Sequence, residues 1–258
     1  YSQYQSLYQK LKEQEHWYLD LTMICETRSD NAYGGSTGSQ VVPIETNAID
    51  GGNSVLARDW DRYLADVAQA NTVIENIDKV PDASLTATER RQWKAEAKIF
   101  RSLVWFDMVR LWGNIPVVTK EGTDITAENI EEVYPLYYPK QTAPADTYAQ
   151  IIKDLTEAID DAPANNAGDK TVLSKSVAKA LLAKAYDEKP ARDYTKVLQY
   201  CNDVIADGFK LNPSFGDIYA LNSAGTDLKN RSTVESILEV NFFPGGGNWV
   251  TWMFGKDL

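Results

Sequence analysis

One stretch near the middle of the chain constrains its fold most strongly, because residues 86 to 113 carry an unbroken helical pattern with a clear signal at each end. Thr86 followed three residues later by Glu89 predicts a capping box at the start. Gly113 followed by Pro116 predicts the end. Apolar side chains recur between these limits at the spacing of one helical face: Trp93, Ala97, Phe100 and Val104. The sequence therefore predicts a helix over residues 86 to 112 that packs against a partner.

The same helix carries charges that its apolar surroundings must accommodate. They are Glu96, Arg101, Asp107 and Arg110. Because an unpaired charge is costly to bury, we expect these side chains to pair or cap rather than catalyse.

Similar patterns predict a series of helices arranged in pairs. The ranges are 3 to 28, 54 to 80, 148 to 162, 174 to 188 and 193 to 207. The 174 to 188 segment is rich in alanine, which lets a neighbouring helix approach closely. Asp193 is expected to cap the last helix and Gly208 to end it. We expect residues 54 to 80 and 86 to 112 to form an antiparallel pair, with the three later helices stacked beside it.

Three remaining segments lack a helical pattern. Residues 29 to 53 form a long loop, and residues 114 to 143 are expected to run over the surface as an extended excursion. The weak alternation in residues 234 to 242 predicts a short strand.

Composition excludes several classes of protein. The formal charge of −11 repels phosphate backbones, so a nucleic-acid partner is not expected. No apolar run approaches the roughly 18 to 20 residues that a membrane span requires. Residues 1 to 10 lack the features of a signal peptide, which predicts either trimming or a cytoplasmic origin. Cys25 and Cys201 are expected to be buried free thiols, and His16 to be exposed or partly packed.

The segment AEAKIFRSLVWFDMVRLWGNIPVV, residues 95 to 118, resembles the signature helix of the SusD/RagB-like outer-membrane nutrient-binding lipoproteins. WDRYLADVAQANTVIENI and SVAKALLAKAY resemble further helices of that family, in the same order. Lys140 departs from it, since an arginine is usual there. The resemblance implies a mainly α fold: a tetratricopeptide-like helix-hairpin superhelix with a few short strands and long surface loops.

The resemblance also implies a function. Members of the family capture oligosaccharides at the cell surface without catalysis and deliver them to a SusC-like TonB-dependent outer-membrane transporter. The expected location is the outer membrane, facing outwards, through a lipid anchor that this chain does not contain. The chain is expected to be the N-terminal part of such a protein, as a single helical-repeat region over residues 1 to 258 without the lipidated N-terminus and the C-terminal half. Peptide capture, as in RagB-like members, and a helical-repeat scaffold that binds protein remain alternatives.

Loops offer the best candidates for ligand binding, because sugars are bound by exposed aromatic rings together with short polar side chains. The candidates are Asp30, Asn31, Tyr33, Asn53, Trp249 and Trp252. In the resembled family, the loop after the first helix builds part of the ligand face, which favours the first three. A structural role is the alternative for these three residues. Tyr33 either packs or binds a ligand, and the side chains of Asp30 and Asn31 are of the kind that satisfies backbone groups where a helix ends. Tyr134, Tyr137 and Tyr138 are left open between core and surface. No catalytic residue, metal ligand or cofactor is predicted.

Overall fold

The computed structural model describes residues 1–13, 15–29, 31–35, 38–164 and 169–242. Within them the chain is mainly α-helical, as predicted. It divides into two compact units, one comprising Tyr1–Gln69 together with Phe242 and the other Ala70–Asn241. None of the described helices combines the length and the apolarity needed to cross a bilayer.

The first unit is built from short helices and the start of one long helix. They are α1 (Ser2–Lys10), a π-helical turn (Glu15–Leu19), α2 (Asp20–Glu26), α3 (Val42–Glu45) and the residues of α4 (Ser54–Asn76) up to Gln69. The core of the unit is apolar and aromatic, and its buried members include Leu7, Leu11, Trp17, Ile24, Ile44, Tyr63 and Val67.

The single helix predicted over residues 3 to 28 is wrong, because the chain leaves the helix after Lys10. The backbone N–H groups of Lys12 and Glu13 donate to carbonyls three residues back, which tightens the last turn. The Tyr18 hydroxyl then donates to the carbonyl of Leu11 at 2.6 Å. The break contains neither glycine nor proline, so the periodicity of the sequence does not reveal it.

The second unit contains the rest of α4 and the later helices. A 3-10 turn (Ile77–Lys79) leads to α5 (Ala87–Trp112), α6 (Ile130–Tyr137), α7 (Pro144–Ala158) and α8 (Lys175–Asp187), and a second 3-10 turn (Lys189–Ala191) precedes α9 (Tyr194–Ala206) and α10 (Gly216–Tyr219). Two short strands, β1 (Ile115–Pro116) and β2 (Gln141–Thr142), pair antiparallel, with Ile115 opposite Thr142.

Neighbouring helices of this unit pack as hairpins, which confirms the predicted stack. Along α5 and α7, Lys98 pairs with Glu157 at 2.6 Å, and the rings of Phe106 and Tyr148 meet edge to face at 6.2 Å. The residue numbers rise on α5 as they fall on α7, so the two helices are antiparallel. α7 contacts α8, and α8 contacts α9.

The end of α4 also lies antiparallel to α5 within this unit. Asn71 lies beside Arg101, whereas Asp78, in the turn after α4, pairs with Lys94 near the start of α5. This is the direction predicted for the two segments.

The predicted helix ends of α5 and α9 are confirmed. The Thr86 hydroxyl accepts from the N–H of Glu89 at 3.2 Å, and the Glu89 carboxylate accepts from the N–H of Thr86 at 2.8 Å. Asp193 accepts from two backbone N–H groups at the start of α9. Gly113 and Gly208 take positive φ angles of 74° and 98°, a conformation that favours glycine.

The buried guanidinium of α5 is paired, as predicted, and the buried Glu96 accepts a hydrogen bond from Gln92 at 3.1 Å. Arg101 is 3% exposed and donates to Asp154 at 2.8 Å and to Asn71 at 2.5 Å. Burial raises the pKa of Asp154, and the charge of Arg101 opposes that shift. The side-chain amide of Asn71 donates to the carbonyls of Val118 and Lys120, so the network also fixes the chain that leaves β1.

The structure corrects two expectations about the segments between the helices. Residues 114 to 143 lie mostly at the surface, as predicted, but they are not extended throughout. They contain both strands and α6, a helix with Pro135 inside it that buries only Val133 and so shows little periodicity. Residues 234 to 242 form no strand; the Lys210 N–H donates to the carbonyl of Val234, which ties this segment to a loop.

Both cysteines are free, as predicted, but they are exposed rather than buried. The neighbouring apolar residues Ile24 of α2 and Val204 of α9 are buried, whereas the cysteines of these helices face solvent. His16 is buried, against expectation, because the π-helical turn directs its side chain inwards.

Candidate ligand-binding loop

The loop between α2 and α4 spans residues 27 to 53 and is anchored in the first unit by α3. Ile44 of α3 is fully buried, and Glu45 accepts a hydrogen bond from the N–H of Gly34 at 3.2 Å. A Cβ atom at Gly34 would lie 2.9 Å from that carboxylate oxygen, so a larger residue would disturb the contact. This contact fixes the backbone next to Tyr33.

The start of the loop is held by short hydrogen bonds. The Arg28 guanidinium donates to the Asn47 side chain at 2.7 Å, which joins the beginning of the loop to the end of α3. Asn47 has a φ of 55°, a conformation that asparagine adopts more readily than most residues. The N–H of Asn31 donates to the Ser29 hydroxyl at 3.3 Å.

Asn53 closes the loop as the N-cap of α4. Its side-chain oxygen accepts from the N–H groups of Val55 and Leu56 at 3.1 and 3.2 Å. Its side-chain nitrogen donates to the carbonyl of Gln40 at 2.9 Å, and the residue is 5% exposed. The structure therefore places Asn53 beneath the loop surface, with both ends of its amide engaged.

Tyr33 and Asn31 lie on the outer side of the loop. Tyr33 is 78% exposed, and Asn31 is exposed two residues before it. An exposed aromatic ring beside an amide presents an apolar face together with a directed donor and acceptor, which suits a sugar ring and its hydroxyl groups. Among the predicted site residues, Asp30, Trp249 and Trp252 lie outside the described residues.

A cluster of charges with two buried carboxyl groups lies in the same unit, and no pattern in the sequence indicates it. Arg58 of α4 pairs with Asp20 of α2 and lies 3.5 Å from Asp59. Burial and the neighbouring Asp20 raise the pKa of Asp59 to about 7, whereas Arg58 lowers it. Paired carboxyl groups also serve glycoside hydrolysis. Asp20 and Asp59 are only 3% and 1% exposed, so a polysaccharide does not reach them and we assign them a structural role.

The tyrosines of α6 form a second exposed aromatic surface, in the other unit. The rings of Tyr134 and Tyr138 stack with centroids 4.7 Å apart, and these residues are 51% and 67% exposed. The Tyr137 hydroxyl donates to the carbonyl of Thr123 at 3.1 Å, which holds α6 against the preceding chain. The sequence left these residues open between core and surface, and the structure places them at the surface.

Comparison with known proteins gives consistent matches. A SusD-like family model, described as starch-binding and associating with the outer membrane, matches residues 2–186. A SusD-like protein of Bacteroides ovatus is 26% identical over 85% of the chain, and SusD-like protein P2 of Formosa agariphila is 23% identical over 96%. The chain spans 38% and 48% of the lengths of these two relatives.

Solved structures share the fold at lower identity. A SusD superfamily protein from Bacteroides vulgatus superposes with a TM-score of 0.72 at 16% identity, over 89% of this chain and 47% of that one. The surface glycan-binding protein A from Bacteroides thetaiotaomicron, solved in complex with laminarihexaose, gives 0.71 at 19% identity, over 93% of this chain and 48% of that one.

Proposed function

This chain belongs to the SusD-like family, whose model matches residues 2–186, and on that premise we propose that it captures oligosaccharides at the cell surface for import. Family membership is the observation that carries the proposal. A structural neighbour was solved with laminarihexaose bound, which supports a glucan as the first ligand to test.

The loop between α2 and α4 supplies the binding surface in this proposal. Tyr33 provides an aromatic platform for one face of a sugar ring, and Asn31 with Asp30 provides hydrogen bonds to hydroxyl groups. Asn53 contributes by fixing the base of the loop, since its amide is already engaged in capping α4. Trp249 and Trp252 remain candidates for a second platform.

The proposed role is binding without catalysis, and delivery to a partner follows it. The family description places its members at the outer membrane. A SusC-like TonB-dependent transporter is the proposed partner, and the proposed location is the outward-facing side of the outer membrane, through a lipid anchor. Capture of peptides by the same loop is the alternative within the family. A helical-repeat scaffold for proteins is the alternative outside it, and the hairpins of the second unit support that reading.

Calorimetric titration with laminarihexaose and with a maltooligosaccharide of similar length tests the proposal. We expect one of the two glucans to bind. Tyr33→Ala should weaken that binding by roughly threefold to tenfold, which corresponds to the 0.5 to 1.5 kcal/mol of an aromatic contact. Asn31→Ala should have a smaller effect in the same direction.

Tyr194→Ala provides the matched control, because Tyr194 is 63% exposed but lies on α9, away from the loop sequence. The Tyr194→Ala variant should bind the glucan with the same affinity as the unchanged chain. Equal losses in the Tyr33 and Tyr194 variants would contradict a site on the loop. Binding of mixed oligopeptides with no response to either glucan would favour the peptide alternative.

A further inference from the structure

His16 is the sole histidine of the chain and lies buried in the first unit, where its surroundings are unusual for a packed side chain. It is 1% exposed, and its Nε2 atom lies 2.9 Å from the Asp66 carboxylate of α4. The ring of Tyr63 meets the imidazole edge to face at 4.8 Å, and the Tyr63 hydroxyl donates to the backbone carbonyl of His16 at 3.1 Å. The ring is therefore held in one orientation.

The hydrogen bond to Asp66 determines which ring nitrogen keeps a lone pair. A carboxylate only accepts hydrogen bonds, so the neutral imidazole carries its proton on Nε2 and leaves Nδ1 unprotonated. Among the described residues, His16 Nδ1 has no hydrogen-bond partner. A buried acceptor atom without a partner is rare in proteins, and binding an ion is one way to satisfy it.

A carboxylate oxygen of Glu13 lies near His16 Nδ1. Glu13 Oε2 lies 3.9 Å from His16 Nδ1, which is too far for a hydrogen bond. Two ligands of a tetrahedral zinc ion lie about 3.3 to 3.5 Å apart, so a small rotation of the Glu13 side chain brings the two atoms to that spacing. One donor atom each of Glu13, His16 and Asp66 lies within 4.8 Å of the others. The Glu13 side chain is 35% exposed, so water can complete the coordination.

A cation already approaches this cluster. The Lys10 ammonium lies 2.8 Å from Glu13 Oε1 and 3.5 Å from Asp66 Oδ1. Lys10 therefore competes with a metal ion for the carboxylate of Glu13.

We propose that Glu13, His16 and Asp66 form a binding site for a divalent transition metal of the zinc class. His16 Nδ1 and Glu13 are the ligands, and Asp66 orients the imidazole through Nε2, the arrangement in which a carboxylate supports a metal-bound histidine. An imidazole ligand favours zinc or nickel over calcium and magnesium, which prefer oxygen ligands throughout. The metal joins the break after α1 to the turn before α2, and this role is independent of glycan binding.

The single histidine makes a direct test practical. In a uniformly ¹⁵N-labelled chain, the imidazole gives one pair of nitrogen resonances that need no assignment against other histidines. Before metal is added, we expect Nδ1 to show the unprotonated shift and Nε2 the protonated one. Titration with Zn²⁺ near pH 7.5 should shift the Nδ1 resonance and leave Nε2 protonated. A spectrum unchanged at millimolar Zn²⁺, or a shift confined to Nε2, would overturn the proposal.

Two substitutions at partly exposed positions test the site without removing a buried side chain. Glu13→Gln should weaken Zn²⁺ binding by about tenfold or more, because it removes a charged ligand. Lys10→Gln should strengthen binding, because it removes the competing ammonium. Glu15→Gln and Lys12→Gln are the matched controls, since Glu15 pairs with Arg62 instead and Lys12 is exposed. Equal affinities in Glu13→Gln and Glu15→Gln would exclude Glu13 as a ligand and refute the site.

Discussion

Individual residues show how the chain accommodates charge in its interior. Arg101 reaches Asp154, Asn71 and the carbonyl of Thr119, so most of its donors have a defined partner. The arrangement joins three parts of the second unit that lie far apart in sequence. A buried pair of this kind contributes little net stability compared with apolar residues, but the loss of one partner leaves a buried charge without compensation.

Arg101→Met should therefore destabilise the chain by about 3 to 5 kcal/mol in urea unfolding, because the buried Asp154 keeps its hydrogen bond from Gln150 but loses its charged partner. The double substitution Arg101→Met with Asp154→Leu should recover much of that loss. Arg91→Met is the control, since its pair with Asp161 is exposed and worth less than about 1 kcal/mol. A loss of glucan binding in Arg101→Met without a change in unfolding would show that Arg101 serves the ligand rather than the core.

Whole helices in this chain are defined mainly by their ends. The capping box of α5 satisfies backbone N–H groups at its start, and Gly113 allows the chain to turn after Trp112. α8 begins in the same way at Ser174, whose hydroxyl accepts from the N–H of Val177 at 3.4 Å. Because caps act locally, their contribution is separable from that of the core.

Thr86→Ala should lower the free energy of unfolding by about 1 kcal/mol, the usual value for loss of a capping hydroxyl. Thr86→Ser keeps the hydroxyl and should leave stability within about 0.5 kcal/mol of the unchanged chain. Urea unfolding followed by circular dichroism measures both variants. If serine and alanine proved equally destabilising, the hydroxyl would not be the origin of the effect.

At the scale of the whole molecule, α9 exposes an apolar stripe on the side away from α8. Tyr194, Leu198 and Ile205 are 63%, 63% and 64% exposed, and Cys201 is exposed between them. Contiguous apolar surface left in water costs roughly 25 cal/mol per Å², which favours covering it.

We therefore expect this chain to self-associate through α9 at high concentration. Sedimentation velocity should show a mass that rises with concentration, and Leu198→Glu with Ile205→Glu should return it to the monomer. Asn202→Glu adds a charge at an exposed polar position of the same helix and serves as the control. A chain that stays monomeric throughout, or that dissociates equally in the control, would contradict association through this stripe.

The candidate site was only partly accessible to sequence reasoning. Tyr33 and Asn31 lie exposed on the predicted loop, but their ligand role rests on family resemblance rather than on geometry. In the sequence, Asn53 is a polar loop residue like Asn31 and is predicted to bind ligand for the same reason. Its position directly before α4 is an N-cap signal that the sequence does carry, and the structure shows its amide engaged in that role.

The sequence by itself determined the hairpins of the second unit, because helical stripes and caps are local patterns within about four residues. The limits of α5 and α9 follow from such patterns alone. Only the structure revealed the break after α1 and the presence of α6, because neither leaves a periodic pattern. Tertiary structure also decided the burial of His16, which depends on residues far apart in the chain. His16 meets Asp66 across fifty positions. Such a pairing leaves no periodic signal, because its free energy comes from packing rather than from neighbouring residues.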